Sequence, residues 1–321
     1  MYMNKTKLKP INIAFYSKWD SYNEWKTILL KYNLKLVNFT NDFNKNKTYP
    51  NIIGALVWDP PDELWQYFPN IKIIQSLGAG VDHILKKNYP KNANIIKLND
   101  PNLSIQMAEY TIMSVLMCKR KYFQYSNNMT YKKWKQLIPF DNNNFKITIL
   151  GYGNISKLVI KKLKLLGFDI NVWSNTNRIL KKINYNFGIK KLHKSIKNTS
   201  CLISLLPDTE LTKNIIGLDE FKLLNDECYF INIGRGATVN QDDLIYALKN
   251  NILTGAIIDV FNKEPLDKKN DLWKLNNILI TPHIAGITNA TEYTAKLLRK
   301  NFENLYNHKK LKNQVNTSKG Y

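Results

Sequence analysis

Short apolar runs alternate with segments of helical period along most of the chain, the pattern of α/β units built on parallel sheets. In the first third, the runs Ile11–Tyr16, Leu34–Phe39, Ile52–Trp58, Ile71–Leu77 and Asn94–Lys97 predict strands, with a helix over Asp20–Lys31. Leu103–Lys121 predicts one long helix, apolar on most of its surface, as suits a buried linker between domains. The polar, aromatic, Asn-rich stretch Tyr125–Asn144 reads as a surface connection. A second alternating series begins at Phe145, with strands at Lys146–Leu150, Asp169–Trp173, Cys201–Leu206, Cys228–Ile233, Ala256–Val260 and Ile278–Thr281. Thr288–Asn307 returns to helical spacing, with Leu297, Leu298, Phe302 and Leu305 as its core face, and Lys309–Tyr321 reads as a terminal tail.

A length of 321 residues suits two domains, and 44% hydrophobic residues with 22% charged ones exclude a disordered or collagen-like chain. No apolar run approaches the ~18 residues of a membrane span, and Met1–Lys5 opens no long apolar signal region. Cys118, Cys201 and Cys228 lie far apart without metal-ligand spacing, so neither a zinc site nor a disulfide framework is expected, and a reducing cytoplasm is. Lys and Arg number 47 against 25 Asp and Glu, for a net charge of +22. The lysines are scattered in ones and twos, with no Arg-rich helix. Asn outnumbers Asp and Glu together, so the charge reads as drift toward Lys, Asn and Ile on solvated positions, and no nucleic-acid partner is expected.

The chemistry begins where Lys146–Leu150 runs into Gly151-Tyr152-Gly153-Asn154-Ile155-Ser156. Ile155, Leu158, Val159, Leu163 and Leu166 then share a helical face, Gly167 can cap it, and Phe168–Trp173 resumes as a strand. A glycine turn between strand and helix is the setting of a dinucleotide site. Gly151 permits the tight turn, and Gly153 lets backbone N–H groups approach a pyrophosphate at the helix N-terminus. Ser156 stands where the fingerprint has its third glycine, a packing position that a small residue can fill. About 20 residues on, an NAD site would carry Asp or Glu against the ribose hydroxyls. This chain has Ser174, Asn175, Thr176, Asn177 and Arg178 there, and no acid between Asp169 and Asp208. Hydroxyl, amide and guanidinium donors suit a 2′-phosphate, which favours NADP(H), with NAD(H) bound more weakly. The competing reading is a loop that is basic only because the whole chain is.

Three further motifs follow strand candidates: Asn232-Ile233-Gly234-Arg235-Gly236, then Asp259 through Glu264-Pro265-Leu266, then Thr281-Pro282-His283-Ile284-Ala285-Gly286. Arg235, Glu264 and His283 thereby fall in loops beyond strand ends, where open α/β sheets bind ligands. Such a trio can bind a carboxylate, tune an imidazole and move a proton. Together with Leu77-Gly78-Ala79-Gly80-Val81-Asp82, Ala55-Leu56-Val57-Trp58-Asp59-Pro60-Pro61 and the ending Asn313-Gln314-Val315 and Lys319-Gly320-Tyr321, these strings resemble the D-isomer-specific 2-hydroxyacid dehydrogenases over nearly the whole length. Within that family the likeness is to its glyoxylate/hydroxypyruvate reductases.

The resemblance implies an α/β fold of two Rossmann-like domains with parallel sheets and an active site in the interdomain cleft. Residues 1–104 with 287–321 would form the substrate-binding domain and 105–286 the NADP-binding domain. It implies a homodimer acting on a small 2-oxo acid, without metal or membrane. Arg235 would hold the carboxylate and carbonyl oxygen, His283 would be the general acid, and Glu264 would hydrogen-bond it. Leu77, Ala79, Gly80 and Trp58 would complete the substrate site. Gly151, Gly153, Asn154, Ile155, Ser174, Asn175, Arg178, Leu206, Pro207, Ile233, Asp259 and Ala285 would bind the cofactor. Two other readings share the motifs: an NAD-dependent relative acting on another hydroxyacid, and a non-catalytic dinucleotide sensor.

Overall fold

The computed structural model describes residues 9–39, 46–178, 180, 183–287, 290–318 and 320. Along the chain, β1 (Ile11–Tyr16), α1 (Tyr22–Leu30), β2 (Leu34–Asn38), β3 (Ile52–Val57), β4 (Ile73–Ser76), α2 (Asp82–Leu85) and β5 (Asn94–Ile96) come first. There follow α3 (Pro101–Lys119), α4 (Tyr122–Thr130), β6 (Ile147–Leu150), α5 (Asn154–Leu165), β7 (Ile170–Ser174), β8 (Asn184–Phe187), α6 (Leu192–Ile196) and β9 (Cys201–Ser204). The series ends with α7 (Leu218–Phe221), β10 (Tyr229–Asn232), α8 (Gln241–Lys249), β11 (Gly255–Ile258), β12 (Ile278–Ile280) and α9 (Thr291–Tyr306). The chain divides into two compact units. Unit 1 is Met1–Asp100 with Thr288–Tyr321, and unit 2 is Pro101–Ile287.

Unit 1 carries a five-stranded sheet in the order β2-β1-β3-β4-β5, with every neighbouring pair parallel. Leu297, Leu298 and Phe302 of α9 join Ile13, Leu29, Leu56 and Ile73 in one apolar core. Unit 2 carries seven strands, β12-β11-β10-β9-β6-β7-β8, again all parallel. Its central strands read as continuous apolar runs because both faces are buried. The chain enters at β6, builds outward to β8, then returns to place β9 on the other side of β6. That reversal leaves a crevice at the carboxyl ends of β6 and β9, where such sheets bind ligands.

The structure corrects several expectations drawn from pattern. On α5 the buried face is Ser156, Val159, Ile160 and Leu163, a sheet-facing stripe, whereas Leu166 is exposed. Gly167, at φ 80°, ends the helix as expected, its N–H donating to Lys164 O and the next N–H to Leu163 O. Tyr122–Thr130 is a helix that runs into what reads as a surface connection. The long helix is only half a buried linker. Ala108, Val115 and Cys118 are buried, but Ile105, Met113 and Leu116 face out. Strand β8, Asn-Tyr-Asn-Phe, gives no apolar signal and pairs at the sheet edge. The expected tail is partly structural, since Val315 N–H donates to Ile95 O and Leu311 and Val315 are buried. Lys319, Tyr321 and the first two positions of the expected helix Thr288–Asn307 lie outside the described residues, as does Met1–Lys5.

Candidate active site

Every candidate residue of unit 2 lies at or just beyond the carboxyl end of a strand or at the start of a following helix. Strand order then decides which are neighbours. From β12 to β7 the carboxyl edge carries His283, Asp259, Arg235, Leu206, Gly151 and Ser174.

The loop after β10 is pinned from both sides. Asn232 Oδ1 accepts the Gly234 N–H at 3.1 Å, and Asn232 Nδ2 donates to Arg235 O at 3.1 Å. The Thr238 hydroxyl also donates to Arg235 O, at 2.7 Å. A Cβ at Gly236 would lie 2.0 Å from the carbonyl carbon of Phe261, so this loop and the one after β11 touch backbone to backbone. Only glycine allows that. Arg235 Nη1 donates to Gly234 O at 2.9 Å, which fixes one edge of the guanidinium.

Glu264 Oε1 accepts the Phe261 N–H at 2.9 Å, and Oε2 meets His283 Nδ1 at 2.7 Å. Burial pushes the Glu264 carboxyl up. The His283 bond, the Phe261 N–H and the charges of His283 and Arg235 outweigh it and hold the group below its ordinary value. Glu264 is therefore a carboxylate at neutral pH. Its acceptance of Nδ1–H leaves His283 Nε2 as the nitrogen that can face a substrate.

His283 sits in the left-handed region at φ 57°. Asp259 holds it there. Its carbonyl accepts the His283 N–H at 2.9 Å, Oδ1 accepts the Ile284 N–H at 2.8 Å and the Thr281 hydroxyl at 2.6 Å, and Oδ2 accepts the Ala285 N–H at 2.8 Å. Tyr110 on α3 backs Thr281 through a 2.5 Å hydroxyl contact. The Asp259 carboxylate is fully buried, so this fold gives it three loop donors in place of water.

At the opposite end of the edge, Gly151 adopts φ 98°, and a Cβ there would lie 2.9 Å from Leu205 O. A Cβ at Gly153 would meet nothing within 4 Å. The space before the N-terminus of α5 is therefore open, as a pyrophosphate requires. Gly153 and Asn154 are exposed, Ile155 half-buried and Ser156 fully buried in the third-glycine position. Asn175 and Arg178 are exposed beyond β7. Ser174 is buried, its hydroxyl 2.5 Å from Tyr185 Oη and bonded to the backbone of Thr176, so it braces the loop from below. Leu206, Ile233 and Ala285 are buried and Pro207 half-buried along the same edge.

Sequence reasoning passed over two groups. Tyr152, between the glycines, gathers the Arg178 guanidinium and the Lys157 ammonium, each 5.6 Å from its ring centre. The Tyr110–Thr281 brace pairs residues 171 apart, beyond the reach of any local motif. In unit 1, Leu77, Ala79 and Gly80 form a half-buried turn after β4, with Trp58 at the end of β3. Cys118, Cys201 and Cys228 are buried free thiols, and burial pushes Cys228 up to about 12 and Cys118 well above its usual value.

Residues 112–285 match the family model for the NAD-binding domain of D-isomer-specific 2-hydroxyacid dehydrogenases. Glyoxylate/hydroxypyruvate reductase A of Yersinia enterocolitica is 34% identical over 284 residues, 87% of this chain and 90% of that protein. Among solved structures, a D-isomer-specific 2-hydroxyacid dehydrogenase of Xanthobacter autotrophicus Py2 with NADPH and MES superposes at a TM-score of 0.89 with 28% identity, covering 97% of this chain and 100% of that one. A probable 2-hydroxyacid dehydrogenase of Rhizobium etli, solved with NADP, HEPES and L(+)-tartaric acid, gives 0.87 and 27%, covering 98% and 100%. With its glycine turn, arginine loop and Glu–His pair all inside the matched residues 112–285, the chain belongs to the D-isomer-specific 2-hydroxyacid dehydrogenases.

Proposed function

We propose that this chain reduces small 2-oxo acids with NADPH, glyoxylate to glycolate and hydroxypyruvate to D-glycerate. The observation that carries the reading is the 2.7 Å contact of His283 with an ionised Glu264, in a cluster where the Arg235 charge is also felt. When bound, the nicotinamide supplies the hydride for C2. Arg235 binds the substrate carboxylate and puts positive charge beside the carbonyl oxygen. His283 donates the Nε2 proton to the alkoxide that develops there, and Glu264 steadies the protonated ring beforehand. The His283 side chain is 38% exposed, so solvent can restore the proton.

Unit 2 is assigned as the cofactor domain. Gly151, Gly153, Asn154 and Ile155 would take the pyrophosphate, Asn175 and Arg178 the 2′-phosphate with Ser174 beneath them, and Leu206, Pro207, Ile233, Asp259 and Ala285 the nucleoside ends. Unit 1 is assigned as the substrate domain, with Ala79 and Gly80 N–H groups as carboxylate donors beside Leu77 and Trp58. A homodimer through α3 and α4 accounts for their exposed Met113, Leu116, Tyr122, Tyr125 and Met129. Buried reduced thiols favour the cytoplasm as its compartment.

Steady-state reduction of both acids with NADPH and with NADH tests the cofactor assignment. NADPH should lead by tenfold or more in kcat/KM, about 1.4 kcal/mol. Arg178→Ala should narrow the gap by weakening NADPH selectively. Equal or inverted preference would remove NADP(H) from the reading, and no turnover of either acid would remove the reading itself.

A further inference from the structure

Unit 1 contains a histidine that the reaction chemistry does not use. His83, on α2, lies with its ring centre 4.3 Å from that of Trp58. Its Nδ1 accepts the Asp59 N–H at 3.0 Å. A nitrogen that accepts carries no proton, so the neutral ring bears its hydrogen on Nε2, which stands 3.1 Å from Ser76 Oγ. The Ser76 hydroxyl then donates to Gly80 O at 2.8 Å and accepts the Gly78 N–H at 3.2 Å. Each donor in this chain meets an acceptor, and Ser76 is wholly buried. One imidazole thus joins the end of β3 to both ends of the turn after β4.

Two consequences converge on that turn. Asp59 holds a left-handed φ of 43°, a conformation that non-glycine residues resist, and the bond to Nδ1 helps to keep it. The indole of Trp58 packs so close to Gly78 that a Cβ there would lie 2.3 Å from it. The ring of His83 against Trp58 and the hydroxyl of Ser76 beneath Gly78–Gly80 therefore fix indole and turn together. The Ala79 and Gly80 N–H groups find no acceptor among the described residues and are left to an incoming group.

We infer that neutral His83 is a positioning residue for the substrate carboxylate: through Ser76 and Trp58 it holds the Ala79 and Gly80 N–H groups in one geometry. This rests on the assignment of the Leu77–Gly80 turn under Proposed function. The role is to prepare a binding geometry, so its loss should appear in affinity for the acid and spare the proton transfer.

The experiment is a double-mutant cycle on the full-length enzyme. His83→Phe keeps a ring over Trp58 and removes both nitrogens, and Ser76→Ala removes the relay hydroxyl. Each should raise KM for glyoxylate about 5- to 20-fold, leaving kcat and the KM for NADPH within about twofold. Oxalate, a two-carbon dicarboxylate with no carbonyl to reduce, should lose affinity for the NADPH complex by the same factor in calorimetry. Because both substitutions break one chain, the double variant should be no worse than the poorer single one. His83→Gln, whose amide can still reach Ser76, should recover part of the loss, and it serves in place of the Phe variant should that one not fold. An unchanged KM and oxalate affinity, effects that multiply, or a parallel fall in kcat and NADPH affinity would overturn the proposal alone. A wild-type enzyme that turns over neither acid would instead overturn the turn assignment, and the inference with it.

Discussion

At the scale of single residues, the roles separate by what each atom can still do once its local bonds are made. Arg235 Nη1 donates to Gly234 O, and the planar guanidinium is the group proposed to take the substrate carboxylate through two parallel bonds. Arg235→Lys keeps the charge and loses the fork. The kcat/KM should fall by about 10²-fold or more with NADPH affinity little changed, and a near-wild-type value in steady-state and binding assays would make the residue structural. The His283 contact holds Glu264 as a carboxylate, and Gln in its place removes that charge. Glu264→Gln should therefore shift the alkaline limb of the reduction profile to lower pH, because the protonated ring loses its partner. The acid limb has the opposite sign. A carboxyl held below its ordinary value keeps its contribution above about pH 4.3 and loses it as pH falls through the lowered value. His283→Ala should cost roughly 10²–10⁴-fold at every pH. A limb that stays in place in a folded, NADPH-binding Glu264→Gln would show that the pair does not tune proton transfer. Arg235, Glu264 and His283 were legible in the sequence because each sits in a local string with glycine or proline beside it. The Asp259 bonds, the left-handed His283 backbone and the Tyr110 brace were not, since they depend on partners brought together only by the sheet.

At the scale of elements, periodicity located the strands and long helices to within a few residues, because parallel strands buried on both faces are apolar throughout. It missed β8, whose polar edge position removes the signal, and α4, whose aromatic face resembles a loop. The glycines are the more instructive case, since a motif does not distinguish glycines kept for packing from those kept for a ligand. A Cβ at Gly236 would strike the Phe261 backbone at 2.0 Å, whereas one at Gly153 would touch nothing within 4 Å. Gly236→Ala should lower stability by about 1–3 kcal/mol, visible as a lower Tm without any ligand. Gly153→Ala should leave that Tm unchanged and weaken NADPH by tenfold or more, because the added methyl occupies the approach to α5. Thermal denaturation with and without NADPH distinguishes the two. A Gly153→Ala protein that binds NADPH normally would move the pyrophosphate elsewhere.

At the scale of the whole molecule, a large positive charge and an exposed apolar surface invite different partners. Lysine dominates the charge and is spread along the chain. Of the exposed large apolar residues among the described ones, the densest run lies from Met113 to Ile138, with Trp134 fully exposed and Ile138 87% exposed. A second copy of the chain covering that segment is the proposed reason. Sedimentation should give a dimer for the wild type, and Trp134→Ser with Ile138→Ser should shift it toward monomer; a monomeric wild type would remove the dimer. Unit 1 also has a consequence in time. Its last core elements, α9 and the segment that pairs with β5, are translated after all of unit 2. On the ribosome, the cofactor unit can therefore close its sheet while the first hundred residues still wait for their missing wall. For that interval β5 and the core of β1 and β4 stand partly uncovered, so the time that translation takes to pass from unit 2 through Thr288–Tyr321 is the time for which that apolar surface stays exposed.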